Sequence, residues 1–182
     1  MAAPIVMPRE APTDGVVTLR PWTADDVPEL VAVFRDPTLS QWLPMIPYPY
    51  SEWDAREWLA SLGQRLNEGS GAHFAVVDAE TSALLGGIGL RPEPSRRGEI
   101  GYWVRKERRG EGIAPRALRL ISRWAFEDLG LARLQLHADV ENAASQRVAE
   151  RAGYTREGVL RSWIEHRGER RDHALYSLLP TE

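Results

Sequence analysis

The chain contains no cysteine in 182 residues. Disulfides, thiolate nucleophiles and cysteine-based metal sites are therefore excluded, and the commonest acyl-enzyme route is closed. Lysine is nearly absent as well: Lys106 is the only one, and arginine supplies the other 22 of the 23 basic side chains. A basic excess is missing, since the formal net charge is -3 at pH 7. That argues against a nucleic-acid partner. No apolar run is long enough to span a bilayer. Residues 1–15 lack the basic-then-apolar pattern of a signal peptide, so a cytoplasmic location is expected. There is no internal repeat, and the four histidines have no metal-ligand spacing, so no metal is expected.

What is present is a chain that is 43% hydrophobic, enough for one domain with a core. Residues 1–15, rich in proline and alanine, read as a flexible arm, and 16–182 as the folded domain. Val16–Arg20 alternates like a strand. Thr23 with Asp26 caps a first helix that Pro37 ends at the latest, and Ser51 with Asp54 caps a second through Leu62. Between them Gln41–Tyr50 carries three prolines and three large aromatics, a loop with much apolar surface. Strands are expected at 73–77, 84–90 and 97–104, joined by turns short enough for antiparallel pairing. Glycines 86, 87 and 89 suggest a bend or bulge in the second of these. A helix follows from Ala114 to Leu129, then a strand at 133–138, a helix at 142–152 and a final hairpin, 154–163 with 173–179, that turns near Gly168. The order predicts a mixed α/β or α+β single domain with about four helices.

The turn Arg108-Arg109-Gly110-Glu111-Gly112-Ile113-Ala114-Pro115 carries the most information. Glycines between a strand and a helix let backbone approach a ligand, and the first-turn amides with the helix dipole form an anion site. Pro115 fits there because its missing N–H is no loss in a first turn. A phosphate-bearing ligand is expected. A P-loop would need Gly-Lys-Ser or Gly-Lys-Thr, which is absent. A dinucleotide fingerprint would need a third glycine where Pro115 stands, and parallel strands on both sides. A plain tight turn is the remaining rival.

The segment Arg109–Ala114, followed by Asn142-Ala143-Ala144-Ser145, Arg151-Ala152-Gly153-Tyr154 and Arg156-Glu157-Gly158, resembles the GNAT N-acetyltransferase superfamily, in particular its RimJ/RimL ribosomal-protein type. The resemblance runs from about Val16 to Leu179. Arg116 departs from it, standing where this group often carries an acidic residue. The resemblance implies a mostly antiparallel sheet splayed near its middle, with acetyl-CoA in the splay and its pyrophosphate on the amides of Arg109, Gly110, Glu111, Gly112, Ile113 and Ala114. It places Asn142 at the cofactor and Ser145 close to the CoA sulfur. It also makes the loop holding Trp42, Tyr48 and Tyr50 a wall of the acceptor pocket, which a lid of core-covering aromatics would equally explain.

Acetyl transfer needs a neutral amine, a stabilised oxyanion and a protonated thiolate. At pH 7 deprotonation costs roughly 1.4 kcal/mol for an α-amine and about 4.6 for a lysine. Ser145 is the first candidate to protonate the thiolate. Tyr154 is a second, against a role in packing. Backbone around Tyr102, Trp103 and Val104 would meet the oxyanion. Glu99 is the best-placed base, and a surface ion pair with Arg96 or Arg97 is the alternative. His73 and His137 read as packing or exposure, while His166 and His173 flank the last turn. The expected activity is acetyl transfer from acetyl-CoA to a primary amine, either a protein α-amine or a small molecule, by direct attack. The expected partners include no nucleic acid and no membrane, and a homodimer is allowed. A non-catalytic acyl-CoA sensor is the alternative reading, and a dehydrogenase a distant third.

Overall fold

Strand β2 (Ala72–Asp78) is apolar on both sides of its pleat because both sides are covered. A computed structural model describes residues 3–43 and 46–181. On one face Phe74 and Val76 join a cluster with Leu118 and Ile121 of α4 (Ile113–Glu127). On the other, Ala75 and Val77 form a small cluster with Leu84, linked through Trp22 and Trp103 to the apolar side of α1 (Val27–Phe34) and α3 (Glu52–Asn67). Helix α4 buries Ala117, Leu118, Ile121 and Ala125, the stripe its 3.6-residue period predicts.

Seven strands make one sheet, in the order β1 (Val17–Pro21), β2, β3 (Leu84–Glu93), β4 (Arg97–Val104), β5 (Arg133–Asp139), β7 (Glu169–Leu178), β6 (Thr155–His166). Every pairing is antiparallel except β4 with β5. Those two run parallel over three pairs only, Arg97–Arg133, Gly98–Leu134 and Glu99–Gln135. Beyond them β4 stays with β3 while β5 stays with β7, so the sheet splays from Ile100 onward. Helix α5 (Ala143–Arg151) packs beside α4 on the same face.

Three features differ from the sequence-based expectations, and one agrees. Among the described residues there are five α-helices, because Pro37 starts a short one, α2 (Pro37–Ser40), instead of merely following α1. Asp36 caps it through the Thr38 amide at 2.9 Å, and proline suits a first turn. The last hairpin is longer than its apolar runs: β6 reaches His166 and β7 begins at Glu169. Arg167 and Gly168, both at positive φ, make a two-residue turn matched to strand twist. The bulge expected near the β3 glycines is present: Val76 pairs with Gly86 and Val77 with Leu84, so β3 carries one extra residue, Leu85, beside Gly86. Residues before β1, expected as a loose arm, are laid against the domain where they are described. The Ile5 amide donates to Leu66 O at 2.9 Å, its side chain is 9% exposed, and Asp14 takes Arg116 Nη1 at 2.7 Å. Pro44 and Met45, within the expected aromatic loop, and Met1 and Ala2, within the expected arm, lie outside the described residues. No described helix is long and apolar enough to cross a membrane.

Candidate active site

Gly110 and Gly112 have φ of 86° and 77°, left-handed values that favour glycine. A Cβ at either would meet no protein atom within 4 Å. Internal packing therefore does not demand these glycines, and the space above them is open. Gly112 leads straight into α4, which has no side-chain cap. The amides of its first turn face a cavity of about 280 Å³.

Gly110, Gly112, Ile113 and Ala114 line that cavity on one side, and Asn142 and Ser145 on another. Tyr102, Trp103, Val104 and Arg109 complete the set expected from sequence. Glu111 is the exception: it lies outside the lining and takes Arg108 Nε at 2.9 Å. The Arg109 guanidinium braces the nest, with Nε donating to Val104 O and Nη1 to Thr38 Oγ1, both at 3.2 Å. Sequence reasoning missed Arg108, Arg147 and Arg151, which add positive charge around the same space. Arg147 and Arg151 lie three and seven residues after Ala144 on α5, so helical spacing from Ala144, not from Ser145, could have found them. Main-chain donors beside open room, ringed by guanidinium groups, fit a diphosphate.

Asn142 caps α5, its Oδ1 accepting from the Ser145 amide at 3.0 Å. That leaves the Ser145 hydroxyl free to face β4, where its Oγ lies 2.8 Å from the Tyr102 hydroxyl. Burial pushes the Tyr102 phenol up to about 12, so it keeps its proton at neutral pH. Tyr154 has no place in this pair. It is 4% exposed, and its hydroxyl sits 2.8 Å from Ser122 Oγ. Ser122 spends its own proton on Leu118 O at 2.6 Å, so Tyr154 must be the donor to Ser122. The tyrosine beside Ser145 is Tyr102, from β4.

The Arg105 amide donates to Leu85 O at 2.9 Å. Alternation along the strand then turns the peptide groups of Tyr102 and Val104 away from β3, into the splay. Ile100, Tyr102 and Val104 pack toward α4, while Trp103 packs toward α1 and α3. Glu99 and Gly101 share that second face by alternation. They line another cavity, of about 700 Å³, which shares Leu43, Tyr102 and Trp103 with the first.

Glu99 does not pair with Arg96 or Arg97. Its Oε2 takes Arg91 Nη2 at 2.9 Å, and its Oε1 lies 3.3 Å from His137 Nε2. The hydrogen bond with His137, and then the charges around it, hold the Glu99 carboxyl below its usual range despite burial. His137 Nδ1 is 3.0 Å from His173 Nδ1, so one ring donates and the other accepts. The expected wall residues separate. Tyr50 lines the second cavity, Trp42 lines the first instead, and Tyr48 lines neither and is 61% exposed.

His73 also lines the second cavity, and burial pushes it down to about 4. At pH 7 the folded form carries no proton and the unfolded form carries one only about a quarter of the time, so the cost is small. Below the unfolded value of 6.5 the unfolded chain binds that proton first, and stability falls as pH drops toward 4. By pH 5 the loss from this residue is about 2 kcal/mol. Urea midpoints at pH 7 and pH 5 should therefore converge in His73→Gln relative to the parent. An equal drop in both proteins would overturn the prediction.

A profile described as "Acetyltransferase (GNAT) domain" matches residues 17–155. A Bacillus subtilis (strain 168) protein, provisionally named the ribosomal N-acetyltransferase YdaF, is 34% identical over 172 residues, 90% of this chain and 90% of that protein. The ribosomal-protein-serine acetyltransferase of Escherichia coli (strain K12) is 30% identical over 125 residues, 68% of this chain and 69% of that protein. Among solved structures, Mycobacterium smegmatis RimJ in complex with CoA-disulfide matches with TM-score 0.84 and 26% identity, over 92% of this chain and 83% of that one. A glycine nest at α4, a sheet splayed beside it and these likenesses converge: the chain belongs to the GNAT acetyltransferase family.

Proposed function

We propose that the protein moves an acetyl group from acetyl-CoA to a primary amine by direct attack. The observation that carries this reading is the meeting of two cavities across one strand, at Tyr102 and Trp103. The nest opens on the first cavity, and Glu99 stands in the second. Acetyl-CoA supplies an activated acyl carbon and a thiolate leaving group.

The chain's own groups then have distinct tasks. The amides of Gly112, Ile113 and Ala114, with Arg108 and Arg147 nearby, hold the diphosphate. The Tyr102 and Val104 amides, aimed into the splay, stabilise the oxyanion. Ser145, hydrogen-bonded to Tyr102, gives the departing sulfur its proton, Tyr102 replaces that proton on Ser145, and water, which has taken the amine's proton, returns one to Tyr102. Glu99 is a carboxylate at neutral pH and a weak base, so it attracts and orients the amine, which loses its proton to water. The C–N bond forms as the C–S bond breaks. An α-amine suits this weak base better than a lysine does. The relatives named for ribosomal proteins support a protein α-amine as one acceptor class, which would be met in the cytoplasm, and a small amine is the other. All these groups come from one chain, so the reading requires no second copy.

Release of free CoA thiol from acetyl-CoA, measured with a panel of amines, tests the reading. Amine-dependent release is expected. Tight acetyl-CoA binding without release on any acceptor would favour the sensor instead.

A further inference from the structure

The second cavity holds a cluster of rings from several elements. Trp22, Phe34, Tyr50, Trp58 and Trp103 line it, drawn from β4, α1, α3 and the loops after β1 and before α3. They brace one another: Trp22 meets Trp58 edge-on at 5.5 Å and stacks on Trp103 at 6.1 Å. Phe34 meets both Tyr50 and Trp103 at 5.0 Å. Such edge-to-face contacts fix ring positions before any ligand arrives. The sheet also makes room for them. A Cβ at Gly87 would lie 2.7 Å from Trp103 Nε1, and one at Gly89 would lie 2.5 Å from His73 Nδ1. Small residues in β3 are thus matched to large rings on the strands at either side.

The volume, about 700 Å³, falls within the range of small-molecule sites, roughly 300–1,000 Å³. The side chain of an N-terminal serine or alanine would leave most of it empty and the indoles against water. A flexible polyamine would fill it poorly and leave its inner charges unpaired. The charged groups at the walls are Asp54, Glu57 and Glu99 against Arg65 and Arg91. Arg91 is engaged by Glu99, and Arg65 Nε donates to Ser61 Oγ at 3.1 Å. One cationic nitrogen, held near Glu99, is what that balance accommodates.

Resting on the transferase reading above, we propose that the acceptor is a primary amine carried on a short link to an aromatic body, with the body among these rings and the nitrogen at Glu99. Two sources share this chemistry: a free arylalkylamine, and a peptide that begins with an aromatic residue.

The full-length protein is assayed by thiol release at saturating acetyl-CoA with phenethylamine, tryptamine, Phe-Ala-Ala, Ala-Ala-Ala, Ser-Ala-Ala and spermidine. At least one aromatic arm should exceed the last three by about 30-fold in kcat/KM. Preference for the free amines assigns a small molecule, and preference for Phe-Ala-Ala assigns a chain terminus. Trp58→Ala should raise the KM of the preferred aromatic acceptor about 10-fold and leave the KM of acetyl-CoA alone. Turnover of Ala-Ala-Ala, Ser-Ala-Ala or spermidine equal to the aromatic arms overturns the proposal and spares the transferase reading. Release with none of the six, while acetyl-CoA still binds, overturns both.

Discussion

Gly112→Asp should weaken acetyl-CoA binding about 1,000-fold, roughly 4 kcal/mol. Three effects act together at this position. The φ of 77° strains any side chain, although aspartate tolerates it better than most. The new carboxylate enters space that no protein atom occupies, within the nest itself. There it meets a diphosphate as a like charge and competes for the first-turn amides, each a charge-assisted donor contributing about 1.5–3 kcal/mol. Aspartate is among the residues that best tolerate this backbone region, and no protein atom crowds the new side chain, so the cost in stability stays small. The melting temperature should accordingly stay within a few degrees while affinity collapses. Calorimetric titration with acetyl-CoA checks this, and an unchanged Kd would remove the nest from the account of binding.

The second large effect is expected at Gly101→Val. Gly101 lies on β4 between Glu99 and Trp103, lines the larger cavity and has no protein atom within 4 Å of a built Cβ. Its backbone needs no left-handed conformation, and valine favours strands, so the fold should tolerate the change. The isopropyl group would then stand where the amine must approach the thioester. Misplacement of about 1 Å at a reacting centre costs about 100-fold. Hence kcat/KM for the amine should fall at least about 100-fold, with the Kd of acetyl-CoA held within about threefold. Loss of both in parallel would mean that the two substrates do not occupy separate faces of β4.

The glycine nest was legible in the sequence because its cause is local. Left-handed φ at Gly110 and Gly112 and an uncapped helix start involve only neighbouring residues. The strands and long helices were legible from period for the same reason. Partners across the sheet were harder. Arg91 stands opposite Glu99 in the β3–β4 register, and Glu93 opposite Arg97. Centring the hairpin on Ser95, with Pro94 and Arg96 completing a three-residue loop, pairs Glu93 with Arg97 and would have assigned Glu99 to Arg91. The exchange of Tyr154 for Tyr102 beside Ser145 has a different origin. Tyr154 follows α5 closely in sequence, but the Gly153 turn sends its ring under α4 to Ser122. Tyr102 reaches Ser145 across 43 positions, a distance no periodicity encodes. The aromatic wall was missed because its rings come from separate elements, and only Tyr50 belonged to the stretch that drew notice.

The alternation along β4 has a consequence for how such a chain diverges. Val104 borders the first cavity only, Glu99 and Gly101 border the second only, and Tyr102 and Trp103, with Leu43 from the loop after α2, line both. If the two cavities hold the two substrates as proposed, substitutions at 99 and 101 would alter one pocket without touching the lining of the other, whereas a change at Trp103 would disturb both.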